Sequence, residues 1–532
     1  MSKRKLPSGR GGMRNRPAKS AGGSPVGQDV LVDKARLLYQ QGNINEAYRV
    51  FEQIMHRFPK LPMGYLGAGQ CAALQGRTEL GIAHLRNAVR LNDKNEHALY
   101  VLAELLQRGL HGEESLEVAQ RLLSMNPHHT SALVLSAKNL ELMQRLDDAL
   151  EQVDGALAHQ PDDVDLLLTK GHLLSRRKNY EQAIHILQPL RERSGVSPAT
   201  RAHIEHEIGM VLDRLGEYDE AFSAFTRCGT LTAETHGKQA ANEQAKYMQI
   251  AAYRQGFTAS VLSRFTPEAF SSLHSAPSLL VGFPRSGTTM TEQILAANPE
   301  IETSGERPFF GFVGAELAKM IHGSGDVAQT MMRLKIPGAR KLRKVYWSAV
   351  QKQMGASAVE SKYFVDKLPL NIIGLGLVNA VFPDSRVLVA LRDPRDVCLS
   401  CFFQHFALNN SMVQFITLEG TARFYEAVMD LYLYYRDILS LDMIQVRYED
   451  TVNDLEYEAH RILDHIGAPW SDGVLAFHEK SRDHFIGTPS YAAVTEKVYT
   501  RSVKRWKNYE KHLEPILPHL ERFIKEYGYD QE

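Results

Sequence analysis

Cysteine is scarce: four residues in 532, too few for the disulfide framework on which a small secreted fold depends. No apolar run approaches the roughly 18 residues needed to cross a bilayer, and no apolar signal segment follows the basic N-terminus. Net charge is absent too, with 62 basic residues against 62 acidic ones, so no overall field draws the chain to nucleic acid or to a membrane. Cys398 and Cys401 form a C-x-x-C, but no second cysteine or histidine pair stands at zinc spacing. That pair reads as ordinary helix residues, and no metal is expected. These absences together predict a cytoplasmic chain with no membrane and no specific nucleic-acid partner.

The neutrality conceals an asymmetry. Residues 1–28 hold seven basic side chains (Lys3, Arg4, Lys5, Arg10, Arg14, Arg16, Lys19) and no acid, which leaves the remainder at about −7. Gly, Ser and Pro dominate this stretch and apolar residues are few, so it is expected to be a disordered basic tail.

A 34-residue period follows the tail. Pro59, Asp93, Pro127 and Pro161 recur at that spacing, as do the small residues Ala47, Gly81, Ser115, Ala149 and Ala183. A second small series, Ala35, Gly69, Ala103, Ala137 and Gly171, keeps a fixed offset of twelve from the first. Small residues locked in phase mark where two helices of a repeat cross, and the proline marks the end of the second. The pattern resembles the tetratricopeptide repeat. Five units cover about residues 28–195, and a sixth, displaced by four, uses Gly209, Ala221 and Phe225. The resemblance implies an all-α solenoid whose concave face takes a protein or peptide. A mainly helical connector is expected over 231–276.

From Ser278 the pattern turns to strands alternating with helices, the signature of a parallel sheet covered on both faces. Strands are expected at Leu279–Phe283, Tyr363–Val365, Arg386–Leu391 and Met443–Val446. Helices follow at Gly287–Ala297, Leu370–Val381, Pro394–Phe406 and Val452–Ile466. Ligands in such sheets bind beyond the carboxyl ends of the strands. Arg285, Asp366 and Lys367, Arg392, and Arg447 with Tyr448 all stand there.

The first of these turns, Gly282-Phe283-Pro284-Arg285-Ser286-Gly287-Thr288-Thr289, has the spacing of a phosphate-binding loop. A triphosphate loop reads G-x-x-x-x-G-K-[ST], with the lysine reaching the β- and γ-phosphates. Thr288 stands in place of that lysine, and the positive charge moves to Arg285. The substitution disfavours a kinase or ATPase and favours a nucleotide without a triphosphate.

Pro284-Arg285-Ser286-Gly287-Thr288-Thr289 resembles the 5′-phosphosulfate loop of sulfotransferases, in the form found in protein-tyrosine sulfotransferases. Arg392-Asp393-Pro394-Arg395-Asp396, with Ser400 following, is similar to that superfamily's 3′-phosphate segment. The likeness runs from about Leu279 to Trp506. Repeats joined to such a domain also resemble a bacterial group of tetratricopeptide-repeat sulfotransferases. The resemblance implies 3′-phosphoadenosine 5′-phosphosulfate (PAPS) as co-substrate, with Arg285, Ser286, Gly287, Thr288 and Thr289 at its phosphosulfate and Arg392 and Ser400 at its 3′-phosphate. It also implies Tyr448 near the adenosine, and Lys367 on the transferring group. Glu306 matches the general base, although Gly305 replaces an acid that the family places before it. Thr488-Pro489-Ser490 and Lys504-Arg505-Trp506 look like the late segment that closes over the donor. Ser490 is then a phosphosulfate contact and Arg505 a 3′-phosphate contact, with Ala493 and Lys497 departing from the pattern. The loop's form points to a protein-tyrosine acceptor. Carbohydrate, lipid or small-metabolite acceptors stay open, as does a binding scaffold with an inactive transferase half.

The expected layout is a tail to residue 28, repeats over 29–230, the connector over 231–276 and a P-loop-like α/β domain over 277–526. His405, in the helix after Arg392, reads as a core or surface histidine. The aromatic run from Phe424 to Tyr435 reads as core.

Overall fold

The computed structural model describes residues 25–236, 242–271, 274–320, 327–477 and 502–531. Almost all of the expected tail therefore lies outside the described residues, as does Ser490. Two compact units are present, Met1–Asn139 and Leu140–Glu532.

The first unit is built of antiparallel helix pairs at the 34-residue period: Pro25–Gln40 with Ile44–Arg57, Pro62–Leu74 with Thr78–Leu91, and Glu96–Arg108 with Gly112–Met125. The small residues sit at the crossings. A Cβ on Gly69 would lie 2.7 Å from Leu85 Cγ, so only glycine lets these two helices approach. One repeat later the same crossing is polar, with Ser115 Oγ donating to the Ala103 carbonyl at 2.6 Å.

The second unit continues the pattern with Leu146–His159, Val164–Arg176, Tyr180–Leu187, Pro198–Leu215 and Tyr218–His236. The last pair packs directly on the α/β part. Phe225 stacks on Phe403 at 4.1 Å between centroids, and Arg505 and Tyr509 both reach Asp213, at 2.6 and 2.7 Å.

The α/β part holds β1 (Ser278–Gly282), β2 (Ile301–Thr303), β3 (Tyr363–Lys367), β4 (Arg386–Leu391) and β5 (Asp442–Arg447), all parallel in the order β2-β3-β1-β4-β5. Leu279, Leu280, Val281, Val387, Leu388 and Val389 are fully buried, as expected of strands covered on both faces. β1 is flanked by β3 on one side and β4 on the other, so chain order reverses at β1. The turn after β1 lies at this switch point, where α/β sheets bind ligands.

Four expectations need correction, the first being the helix over Leu370–Val381, which begins as a 3-10 turn, Pro369–Gly374, and is α-helical only over Leu375–Val381. β2 is an additional edge strand, three residues long and too short to show alternation. The helix expected over Pro394–Phe406 ends at Phe402, where Phe403 leaves it to stack on Phe225. The helix expected over Val452–Ile466 is two helices, Tyr448–Asn453 and Leu455–Ile466. They break at Asp454, whose carboxylate accepts from Tyr457 N at 3.1 Å and so starts the second helix as an N-cap. The aromatic run is core, with Phe424, Tyr425, Tyr432 and Tyr435 all buried. Cys398 and Cys401 are buried free thiols, pushed up in pKa by burial.

Candidate functional site

Beyond β1 the chain turns through Phe283–Gly287 into the helix Thr288–Ala296. Gly287 takes the left-handed conformation at φ 100°, and a Cβ there would lie 2.9 Å from the Tyr448 ring. The helix starts without a side-chain cap at Gly287, and a helix N-terminus favours an anion. Arg285 is also left-handed, at φ 70°, a conformation that costs a non-glycine residue about 1–2 kcal/mol. Its Nε donates to Ser400 Oγ at 3.1 Å. Arg285 and Ser400, matched to opposite ends of the donor, are therefore in contact.

After β4, Arg392 is 7% exposed and spans several neighbours. Its NH1 donates to the Arg285 carbonyl at 3.3 Å, its NH2 donates to the Ser502 carbonyl, and its Cζ lies 4.9 Å from the Tyr448 ring centre. Its Nε has no hydrogen-bond partner among the described residues. Burial works against the Arg392 charge, but Asp396, 3.6 Å away, leads the groups that hold its pKa above the ordinary guanidinium value. Burial in turn lifts the Asp396 carboxyl to about 6, against the pull of Arg392. A buried arginine with a free Nε fits an oxygen-rich anion such as a phosphate.

On the other side of β1 stands Lys367, fully buried at the end of β3. Its Nζ lies 2.5 Å from Glu306 Oε1 and 2.9 Å from Glu292 Oε2. Glu306 comes from the turn after β2, held where its N–H donates to the Lys367 carbonyl at 3.1 Å. Both Gly305 and Glu306 are left-handed, at φ 59° and 63°. Strain at two non-glycine residues, Arg285 and Glu306, falls at the candidate site, as is common for functional positions. Glu292 lies on the helix Thr288–Ala296, is 4% exposed, and keeps Oε1 without a partner among the described residues. Burial raises its pKa against the opposing effect of Lys367.

These groups open on one cavity of about 570 Å³, within the range of small-molecule sites. Arg285, Gly287, Thr288, Thr289, Glu306, Arg392 and Tyr448 line it. Ser286 and Ser400 stand behind the wall, Ser286 Oγ donating to the Phe283 carbonyl at 2.7 Å. Lys367 reaches the cavity by way of Glu306. Arg505 is placed elsewhere: its guanidinium is taken by Asp213 and it does not line the cavity. His405 also lies off the cavity, its ring 5.8 Å from those of His203 and His206. Among the described residues, no group of three or more His, Cys, Asp or Glu is placed to hold a metal.

Sequence reading missed two groups. Glu292 follows Thr288 and Thr289 by four and three residues, so it shares their helix face, and that spacing was the available signal. The connector helix Glu243–Gly256 contributes Lys246, Gln249 and Tyr253 to the cavity, with no motif to announce it.

Residues 277–472 match the sulfotransferase family, and residues 32–96 match the tetratricopeptide repeat. A match to the tetratricopeptide repeat is thus followed along the chain by a match to the sulfotransferase family. It is 23% identical over 548 residues to an uncharacterized protein of Aquifex aeolicus (strain VF5), a match covering 94% of this chain and 70% of that protein. It is 24% identical over 226 residues to protein-tyrosine sulfotransferase 2 of Gallus gallus, covering 40% of this chain and 56% of that enzyme. Among solved structures, a tetratricopeptide repeat protein from Parabacteroides merdae aligns at 18% identity and a TM-score of 0.34, over 42% of this chain and 88% of that one. YrrB, described as a repeat protein with an unusual peptide-binding site, aligns at 18% identity and a TM-score of 0.28, over 36% of this chain and 89% of its own. No helix among the described residues is long and apolar enough to cross a membrane.

Proposed function

We propose that the protein transfers a sulfuryl group from 3′-phosphoadenosine 5′-phosphosulfate to an acceptor hydroxyl. One observation carries the reading: Tyr448 lies against both the loop glycine Gly287 and the Arg392 guanidinium, so two cationic anion sites meet around one aromatic ring. A donor with separate 5′ and 3′ anionic ends matches that pairing, and a triphosphate does not.

The backbone from Ser286 to Thr289 would hold the 5′ end, and Arg392 the 3′-phosphate, with Tyr448 beside the adenosine. When bound, the donor supplies an activated sulfuryl group. Arg285 stabilises the bridging oxygen as negative charge builds on it. Glu306 takes the acceptor proton as the hydroxyl oxygen bonds to sulfur and the bridging S–O bond breaks. Lys367 holds Glu306 at the cavity wall beforehand and then faces the transferring group. Ser490 is retained as a donor contact on the sequence resemblance alone.

The acceptor is proposed to be a protein tyrosine recruited through the repeats, a protein-binding architecture, or a small hydroxyl compound taken directly into the cavity, and the compartment the cytoplasm. Thermal shift with adenosine 3′,5′-bisphosphate against ATP plus Mg²⁺ tests the donor. Stabilisation by ATP plus Mg²⁺ alone sinks the reading. Labelled donor incubated with protein and lysate then identifies the sulfated species.

A further inference from the structure

The cavity extends to a wall that neither anionic end of the donor requires. Arg392 and Tyr448 follow β4 and β5, on one side of β1, whereas Lys367 and the turn Pro369–Gly374 follow β3 on the other. The connector helix Glu243–Gly256 packs against that turn. Lys246, Gln249 and Tyr253 are spaced i, i+3, i+7, which sets all three on one helix face, and all three line the cavity.

Lys246 Nζ donates to Gln249 Oε1 at 2.9 Å, and no carboxylate among the described residues pairs with it. Burial lowers its pKa from the ordinary lysine value. Asn371, on the Pro369–Gly374 turn, lines the same cavity at 9% exposure, and its Nδ2 has no partner among the described residues. Phe310, Ile373, Leu377 and Met412 supply apolar surface to the same cavity. Glu306, the one acid among the described residues of the lining, is already held by Lys367. A half-buried cation whose one hydrogen-bond partner here is a neutral amide, and a buried amide N–H without a partner among the described residues, are both costly, and an oxygen anion answers both.

We propose that the Lys246–Gln249–Tyr253 face, with Asn371, is an acceptor subsite that takes a carboxylate carried on a compact apolar hydroxyl compound. This rests on the transferase reading. A cavity of about 570 Å³ that also receives a nucleotide leaves room for an acceptor of side-chain size. The connector would then set acceptor choice as well as join the two halves.

The test is calorimetry on the full chain saturated with adenosine 3′,5′-bisphosphate, using 3-(4-hydroxyphenyl)propionate and its neutral amide as probes. The acid should bind about tenfold more tightly than the amide, the scale of one charged hydrogen bond. Lys246→Met should bring the two probes within about twofold, and Lys246→Arg should keep the preference. The bisphosphate affinity should be the same in all three proteins, which also shows that the variants fold. Equal binding of the two probes to the natural chain, or a preference that survives Lys246→Met, overturns the subsite. Failure of the bisphosphate itself to bind brings down the donor reading and this proposal with it.

Discussion

The Lys367 ammonium is clamped between two carboxylates from different elements, Glu292 Oε2 at 2.9 Å and Glu306 Oε1 at 2.5 Å. Lys367 and Glu292 are both buried, whereas Glu306 is about a third exposed at the cavity wall. Removing the lysine alone leaves the buried Glu292 without its counter-ion. Lys367→Met is expected to destabilise the fold by about 3–5 kcal/mol in urea unfolding and to end transfer. Lys367→Met combined with Glu292→Gln should recover most of that stability and none of the activity. A double variant no more stable than the single one would show that Glu292 does not depend on Lys367.

Arg285 joins strain to charge. At φ 70° its backbone suits glycine better than arginine. Arg285→Gly should therefore hold or raise the melting temperature while transfer falls by about 10²–10³, the usual loss for one transition-state donor. Equal losses of stability and activity would mean that the side chain serves folding.

The legible parts of the molecule were those whose chemistry demands a local spacing. Gly287 and Arg285 advertise an anion loop because the turn needs a glycine and the ligand needs a cation within a few residues. The repeats were legible for a similar reason, since helix crossings such as Gly69 against Leu85 tolerate nothing larger. Long-range pairings left no comparable trace. Arg505 looks like a phosphate ligand within its own segment, and only the packing of the last repeat shows that Asp213 takes it. Glu292 reads as one more polar helix residue until β3 brings Lys367 beside it. The connector's role at the cavity depends on which turn it packs against, a fact of topology that no spacing within it records.

Asp366 offers a test by pH. It is fully buried and accepts from Tyr346 OH at 2.8 Å, and burial lifts its carboxyl to about 7. An unfolded aspartate titrates near 3.9, so between about pH 4 and 7 the folded chain holds a proton that the unfolded chain has lost. This group's contribution to stability therefore falls as pH rises through that window, by an amount on the order of 4 kcal/mol if nothing relaxes. Asp366→Asn should flatten that part of the stability–pH curve. An unchanged slope would place the titration elsewhere.

Asp213 ties the last repeat pair to the phosphate side of the site. It receives Arg505 NH2 at 2.6 Å and Tyr509 OH at 2.7 Å while only 8% exposed. The neighbouring Trp506 donates its backbone N–H to Asp396 Oδ1 at 2.8 Å, and Asp396 faces Arg392. Asp213→Ala strands a half-buried guanidinium and should cost about 2–4 kcal/mol, whereas Asp213→Asn keeps an acceptor for Tyr509 and should cost less. If the chain from Asp213 to Arg392 orients the phosphate site, adenosine 3′,5′-bisphosphate should also bind several-fold more weakly to Asp213→Ala at a temperature where the variant is fully folded. An affinity equal to that of the natural chain, with stability alone reduced, would confine Asp213 to folding. In that case the last repeat pair would be a structural partner of the domain and have no part in shaping its phosphate site.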